Sequence, residues 1–208
     1  MEEENKIEEK KPDNVGVIVI VFICILVVAI IAFILINPIF NKITFKYNGY
    51  LIHKNTENGL QYDIFLKLEG REVSLSIRSD PRGVDSIPID KSFKEVILNS
   101  SQIYTAIDPY ANMTAITSLA ALEIDKIIDN AYLYAIPVNS AFTREMGNYT
   151  IKTCEDSKDK TSVILLELAN KTEVIVKNKC IIINGETEED LIRAADRLVL
   201  TLLGVIKK

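Results

Sequence analysis

The chain has 208 residues, of which 48% are hydrophobic and 25% charged, with a formal net charge of −5. With 24 basic and 29 acidic residues it offers no excess of positive charge, which argues against a nucleic-acid-binding protein. One histidine, three cysteines and the absence of a C-x-x-C pair argue against a zinc site or a thioredoxin-type redox centre.

The first strong pattern is an apolar stretch near the N-terminus. Residues 15–36 contain no charged or polar side chain other than Cys24. As a helix rising about 1.5 Å per residue, such a stretch spans roughly 33 Å, close to the hydrocarbon thickness of a bilayer. The pattern predicts a transmembrane helix at residues 15–37 behind a disordered charged tail at residues 1–14. A cleaved signal peptide is the alternative, although its apolar core is usually shorter and ends at small residues.

Glycosylation sequons indicate which side of the membrane the remaining chain occupies. Lysines near the two ends of the span are equal in number, three on each side, so they do not decide the orientation. Four N-x-S/T sequons lie beyond the span, at Asn99, Asn112, Asn148 and Asn170. They favour a folded domain at residues 43–208 outside the cytoplasm, with these asparagines as acceptors. Ordinary turn asparagines are the alternative.

The cysteines allow a disulfide in this domain. Cys24 lies in the apolar span, which leaves Cys154 and Cys180 as the only pair beyond it. A bond between them would close a loop of about 25 residues and stabilise the domain by about 3 kcal/mol in the chain-entropy model. Two buried free thiols in a cytosolic domain are the alternative.

The domain begins with a β pattern. Residues 43–52 predict one strand, in which Gly49 is a candidate bulge. Residues 60–68 and 73–77 alternate apolar and polar side chains, and a short connection containing glycine predicts that they form a hairpin. An Asn-rich turn at residues 55–59 joins the first strand to this hairpin, so the sequence predicts a three-stranded antiparallel meander.

The middle of the domain mixes helices and strands. Residues 90–98 predict a short helix, residues 102–107 a strand, residues 114–129 a helix with apolar side chains at helical spacing, and residues 131–136 another strand. Strand, helix and strand within about 35 residues match the length of a βαβ unit, so we expect the two strands to be parallel.

The last third predicts a second meander and a closing helix. Its four predicted strands are residues 149–154, 163–168, 172–177 and 180–184. Two of their connections are short polar turns, which favours antiparallel pairing. Thr187 is the predicted N-cap of the closing helix, acidic residues fill its first turn, one wide apolar stripe follows, and Gly204 ends it.

A resemblance appears in this segment. The run from Cys180 to Leu198 looks like a strand, a glycine turn and then T-x-x-D-x-x-x-A-A-x-x-L. This ending is similar to that of archaeal S-layer proteins and of uncharacterised single-pass archaeal envelope proteins. The longer pattern, from Tyr104 through Cys154 to the closing helix, resembles the second group. The resemblance implies a cell-surface setting and no known chemistry.

Residues that could carry chemistry are few. His53 is the only histidine, and no G-x-S-x-G accompanies it, so a catalytic triad has no support. Glycine patterns for phosphate binding are absent, and the acids between Asp80 and Asp90 lack the spacing of a calcium loop. Asp108 is the most interesting acid, because it follows a strand expected to be parallel, at the edge where open α/β sheets bind ligands. Turn initiation is its alternative role.

The sequence therefore predicts an α+β fold, with a mixed sheet built from antiparallel meanders plus one βαβ unit behind a single N-terminal transmembrane helix. The function it favours is a non-enzymatic cell-envelope or interaction protein without catalytic residues, cofactor or metal. Its expected partners are the membrane, through residues 15–37, and a protein of the envelope. One alternative is an anchored hydrolase that attacks cell-wall or glycan substrates through carboxylates such as Asp108. Another is an accessory subunit of a membrane complex with a cytosolic domain.

Overall fold

The computed structural model describes residues 14–55, 61–68 and 70–207. The chain divides into two compact units, Met1–Ile43 and Thr44–Lys208. The predicted tail at residues 1–14 falls almost wholly outside the described residues.

The first unit contains one long helix, α1 (Asn14–Ile43). Its apolar part, Gly16–Leu35, has a mean hydropathy of 3.8 and no buried residue, and by length and composition it could cross a membrane. The helix continues past the predicted end at residue 37, through Pro38. A proline inside a helix removes one backbone donor, and here that loss does not end the helix.

The second unit contains strands in two sheets. Its strands are β1 (Thr44–Tyr47), β2 (Tyr50–Asn55), β3 (Gln61–Leu68), β4 (Arg71–Ile77), β5 (Gln102–Ile107), β6 (Val138–Phe142), β7 (Thr161–Leu168), β8 (Glu173–Lys177) and β9 (Cys180–Gly185). Its helices are α2 (Pro81–Val84), α3 (Phe93–Leu98), α4 (Ala115–Ile128) and α5 (Glu188–Leu202), with a short 3₁₀ helix at Cys154–Asp156. The predicted α+β class, with one antiparallel and one mixed sheet, is confirmed.

The first sheet is antiparallel, in the order β1-β2-β3-β4. The predicted hairpin of β3 and β4 is confirmed, but the single strand predicted at residues 43–52 is wrong. Asn48 (φ 49°) and Gly49 (φ 93°) form a two-residue turn, and β1 and β2 pair on either side of it. Asn-Gly suits such a turn because both residues tolerate positive φ, so the meander has four strands instead of three. Most of the predicted turn at residues 55–59 lies outside the described residues.

The second sheet is mixed, in the order β6-β5-β7-β9-β8. The predicted βαβ unit is confirmed: α4 connects β5 to β6, and the two strands are parallel. Its second strand was misplaced, however, because residues 131–136 form turns. Ala135 has a φ of 51°, and the Ile136 N–H donates to the Ile128 carbonyl at 3.1 Å, at the end of α4. The strand β6 therefore begins only at Val138.

The predicted C-terminal meander is wrong in part. Residues 149–154 make only one bridge, between Ile151 and Phe142, before the 3₁₀ helix. The β7 and β8 strands do not pair, because β9 lies between them, parallel to β7 and antiparallel to β8. All six residues of β9 are buried, which suits an inner strand of a sheet that is covered on both faces.

The helices α4 and α5 pack against each other between the two sheets and share one core with both. The caps predicted for α5 are confirmed. The Thr187 hydroxyl accepts from the Asp190 N–H at 3.1 Å, and Gly204 has a φ of 77° just beyond the last turn. The predicted apolar stripe is buried, and the burial extends beyond it to nearly every side of α5, including Asp196 and Arg197.

The outer face of the mixed sheet carries a smaller apolar cluster. Its buried members are Ala106, Ala141, Val163, Cys180 and Ile182. The segment containing the 3₁₀ helix packs against this cluster, and the predicted disulfide joins its Cys154 to Cys180, with the Cα atoms 5.1 Å apart. The bond therefore fixes an irregular segment to the sheet.

Candidate functional site

The four sequon asparagines are all exposed. Asn99 ends α3, on the side where β5 begins. Asn112, Asn148 and Asn170 lie in the loops that follow β5, β6 and β7. Because these three strands are parallel, the loops that follow them lie at the same end of the sheet, beyond the carboxyl ends of the strands. The exposure of these asparagines is what a glycosylation acceptor needs.

The acids singled out in the sequence each have a polar partner. Asp108 pairs with Arg144 at 2.5 Å, and its other oxygen accepts from the Tyr110 N–H at 3.0 Å. Asp80 caps α2 and pairs with Arg82. The remaining two are also paired: Asp85 with Arg197 and Asp90 with Ser92. These contacts are typical of turn and cap residues, and within the described residues no group of three or more metal-binding side chains comes together.

His53 lies in β2, in the antiparallel sheet. Its Nδ1 atom is 2.9 Å from the Thr44 hydroxyl on the paired strand. The ring therefore has a cross-strand partner in the sheet. Neither cysteine of the disulfide is available as a thiol.

A cleft that the sequence did not predict lies between α4 and the β5–β6 edge of the mixed sheet. It has a volume of about 280 Å³. Its polar lining residues are Thr105 of β5, Ser140 of β6, and Ser118 and Asp125 of α4. We call it the Asp125 pocket. It is open to the side because β6 is the last strand of the sheet.

Strand and helix periodicity explain how these side chains meet. Residues 103, 105 and 107 of β5 face the helices, since alternate residues of a strand share a face. Two of these residues are Ile, whereas Thr105 brings a hydroxyl to that face. On α4, Ser118, Leu122 and Asp125 follow one another at spacings of four and three, so they line one side of the helix.

The polar atoms at the base of the pocket lack partners. Thr105 is 2% exposed, and neither its Oγ1 nor the buried Oδ1 of Asp125 makes a hydrogen bond of normal geometry within the described residues. Burial raises the pKa of Asp125 to about 6. In that value, a weak hydrogen-bonding interaction with the Thr105 hydroxyl offsets part of the effect of burial, and the negative charge of Asp129 adds to it. Such a carboxyl in a concave site is a common mark of a functional residue.

Aromatic and aliphatic side chains form the mouth of the pocket. Tyr149 is 67% exposed, and its ring packs edge-on against Phe142 with the ring centroids 5.1 Å apart. Leu122 on the opposite wall is also exposed. The pocket thus combines apolar walls with a few convergent oxygen atoms, the usual make-up of a small-molecule site. The sequence signal for it was the spacing of Ser118, Leu122 and Asp125, which places an acid and a hydroxyl on one side of the predicted helix.

A second unpredicted acid cluster is fully enclosed. Asp196 of α5 is 0% exposed, and its Oδ2 accepts from the Ser79 N–H at 2.7 Å. Burial raises its pKa to about 8, and the negative charge of Glu123 on α4 raises it further. Glu123 itself pairs with Arg78 at 3.2 Å and with Lys126. This cluster joins α4, α5 and the end of β4 and has no opening to a ligand, so we interpret it as structural.

Asp196→Asn tests that interpretation. The pKa of Asp196 in the folded state is above the unfolded value of about 3.9, so the folded protein holds a proton that the unfolded chain has lost. Its contribution is fully present below about pH 4 and is lost as the pH rises through about 8. An amide can still accept from Ser79 but does not titrate. Urea unfolding should show the variant more stable than the wild type by several kcal/mol at pH 8, and the difference should vanish near pH 4.

The exposed Asp159 supplies the control for this comparison. Asp159→Asn should leave the pH profile of stability unchanged. Parallel profiles for Asp196→Asn and the wild type would show that the Asp196 carboxyl is not held protonated by the fold.

Comparisons of the chain with protein-family models, with curated proteins and with solved structures found no match. No relative therefore bears on its function. The features that do bear on it are the apolar helix, the disulfide, the exposed sequons and the Asp125 pocket.

Proposed function

We propose that this protein is a membrane-anchored interaction protein of the cell envelope, with its folded unit outside the cytoplasm and without catalytic activity. The observation that carries the proposal is the 20-residue apolar span Gly16–Leu35, of which no residue is buried. In water such a helix would expose a surface that soluble proteins avoid, whereas a bilayer covers it.

Two features support a location outside the cytoplasm. The disulfide between Cys154 and Cys180 suits an oxidising compartment, since cytosolic proteins rarely keep such bonds. The four exposed sequon asparagines would be accessible to a glycosyltransferase there. The resemblance of the C-terminal segment to archaeal envelope proteins agrees with this location.

The pairing of the loop acids and the exposure of three tyrosines favour binding over hydrolysis. A glycosidase needs two carboxyl groups facing one substrate cleft. Here the loop acids pair with neighbouring side chains, Asp108 with Arg144 among them. By contrast, Tyr110, Tyr132 and Tyr149 are 63%, 86% and 67% exposed, and tyrosine is a residue enriched in protein interfaces. An anchor would raise the effective concentration of this surface toward a partner in the same membrane.

Alkaline extraction of membranes tests the anchor. The full chain would carry a different epitope tag at each end, and we expect both tags to remain in the washed membrane pellet on one uncleaved polypeptide. Ile23→Arg, Val27→Arg and Ile31→Arg together place three charges in the middle of the span, at a cost of about 2.5–3.5 kcal/mol each for insertion. The total cost is comparable to or larger than what the apolar residues of the span contribute together, at about 0.3–0.6 kcal/mol each, so the variant should be released. Leu at the same three positions is the matched control and should stay in the pellet. A pellet free of the N-terminal tag would identify a cleaved signal peptide and contradict the proposal.

A further inference from the structure

We propose that the Asp125 pocket binds a small amphipathic amine, with an aromatic or branched aliphatic body inside the pocket and its ammonium group against Asp125. This site would make the folded unit a ligand-binding domain, whichever side of the membrane it occupies. The volume of about 280 Å³ suits a ligand at the small end of the range that protein pockets hold.

The first argument is the unmet hydrogen-bonding capacity at the base of the pocket. Thr105 of β5 is 2% exposed, and neither its Oγ1 nor the buried Oδ1 of Asp125 on α4 makes a hydrogen bond of normal geometry within the described residues, although the Thr105 hydroxyl acts on the Asp125 carboxyl and lowers its pKa. Folded proteins satisfy nearly all buried polar atoms, and the exceptions call for an explanation. A ligand that donates hydrogen bonds to both oxygens would supply the missing partners.

The second argument is the sign of the charge. The polar side chains that line the pocket are Asp125 and the hydroxyl-bearing Thr105, Ser118, Ser140 and Tyr149, and none of its lining residues is Lys, Arg or His. The carboxylate of Asp129 adds a negative charge that acts on Asp125. An anionic ligand would meet two negative charges and no positive one, whereas an ammonium group would meet complementary charge in a partly desolvated site.

The third argument is the shape of the walls. Ile107 and Phe142 line the interior, and Tyr149 and Leu122 stand at the mouth. Tyr149 leaves 67% of its surface exposed although its ring is held against Phe142. An aromatic or branched aliphatic body placed between these side chains would cover apolar surface that is now in contact with water.

Three probes of one shape test the proposal: 2-phenylethylamine, 2-phenylethanol and phenylacetate. Each would be titrated into the full chain in detergent micelles, with binding followed by saturation-transfer NMR. We expect the amine to bind most tightly, the alcohol about tenfold more weakly, and the anion not measurably. Equal binding of the three probes would indicate partition into the micelle or a purely apolar cleft and would overturn the proposal.

Two variants locate the site. Asp125→Asn keeps the shape of the side chain but removes its charge, so it should weaken binding of the amine about tenfold and leave the alcohol unchanged. Ala121→Phe should fill the pocket and abolish binding of both probes. Asp159→Asn, which removes an exposed carboxylate elsewhere, is the control and should change neither. If Asp125→Asn binds the amine as the wild type does, or if no probe binds at millimolar concentration, the proposal fails, while the proposed anchoring is unaffected.

Discussion

Removing the disulfide, with Cys154→Ala and Cys180→Ala together, is expected to lower the free energy of unfolding by about 2–5 kcal/mol. In the unfolded chain, the bond restricts a loop between residues 26 positions apart. In the folded protein, it holds the segment around the 3₁₀ helix against the outer face of the mixed sheet, where the Cys180 side chain is fully buried. Without the bond, that segment would be held by hydrogen bonds such as the one from the Val163 N–H to the Ser157 hydroxyl at 2.9 Å, and the apolar cluster beneath it would become more accessible to water.

Denaturant unfolding of the full chain in detergent micelles, followed by tyrosine fluorescence, would measure this loss. Reductant should destabilise the wild type to the level of the double variant and should leave the double variant unchanged. Cys24→Ala is the matched control, because Cys24 is a free cysteine, and it should not alter the transition. Equal stability of the double variant and the oxidised wild type would show that the disulfide contributes nothing to the fold.

Gly185→Ala should also be strongly destabilising. A Cβ atom at residue 185 would lie 2.5 Å from the Leu191 nitrogen and 2.7 Å from the Thr187 carbonyl oxygen. Both atoms belong to the backbone at the start of α5, so the helix must move to accommodate the methyl group. Because α5 is buried between two sheets, this movement disturbs the core on both sides, and we expect a loss of about 1–3 kcal/mol or more.

Thermal melting of the full chain would test this prediction. A loss of that size corresponds to about 2–12 °C for a domain of this length. Gly83→Ala is the matched control, since the nearest heavy atom to its new Cβ is 4.0 Å away, and it should melt with the wild type. Equal melting temperatures for Gly185→Ala and Gly83→Ala would show that α5 tolerates displacement from the end of β9.

Elements specified by nearby residues could be predicted from the sequence. The apolar helix, the β3–β4 hairpin, the βαβ unit and the closing helix each depend on periodicity and on local caps such as Thr187 and Gly204. The Asn48-Gly49 hairpin belongs to the same class. The strands on the two sides of this turn are short, so the sequence pattern predicts one strand where the structure has two.

Features that depend on distant residues could not be predicted. In the mixed sheet β9 lies between β7 and β8, and the short turns in the sequence do not indicate which strands pair. The burial of α5 on all sides is another case, because its polar residues find partners far away in the chain. Asp196 accepts from Ser79, and Arg197 pairs with Asp85. In the sequence, Asp196 and Arg197 look like residues on the solvent-exposed face of a helix.

The candidate functional residues also fall into those that short motifs predict and those that depend on distant parts of the chain. The cysteine pair and the four sequons are visible as spacing and short motifs. The Asp125 pocket exists because β6 is the last strand of its sheet and leaves the flank of α4 open, which follows from the strand order. Asp108, which sequence reasoning favoured, lies where it was expected, just beyond a parallel strand, but it is engaged by Arg144 and Tyr110.

The most direct test of a membrane-anchored domain outside the cytoplasm is labelling of intact cells with a membrane-impermeant thiol reagent. Tyr132→Cys would introduce a thiol at a position that is 86% exposed in the folded unit. Lys6→Cys would introduce one in the tail before the apolar span. We expect Tyr132→Cys to be labelled in intact cells and Lys6→Cys to be labelled only after lysis. The reverse pattern would place the folded unit in the cytosol and contradict a location outside the cytoplasm.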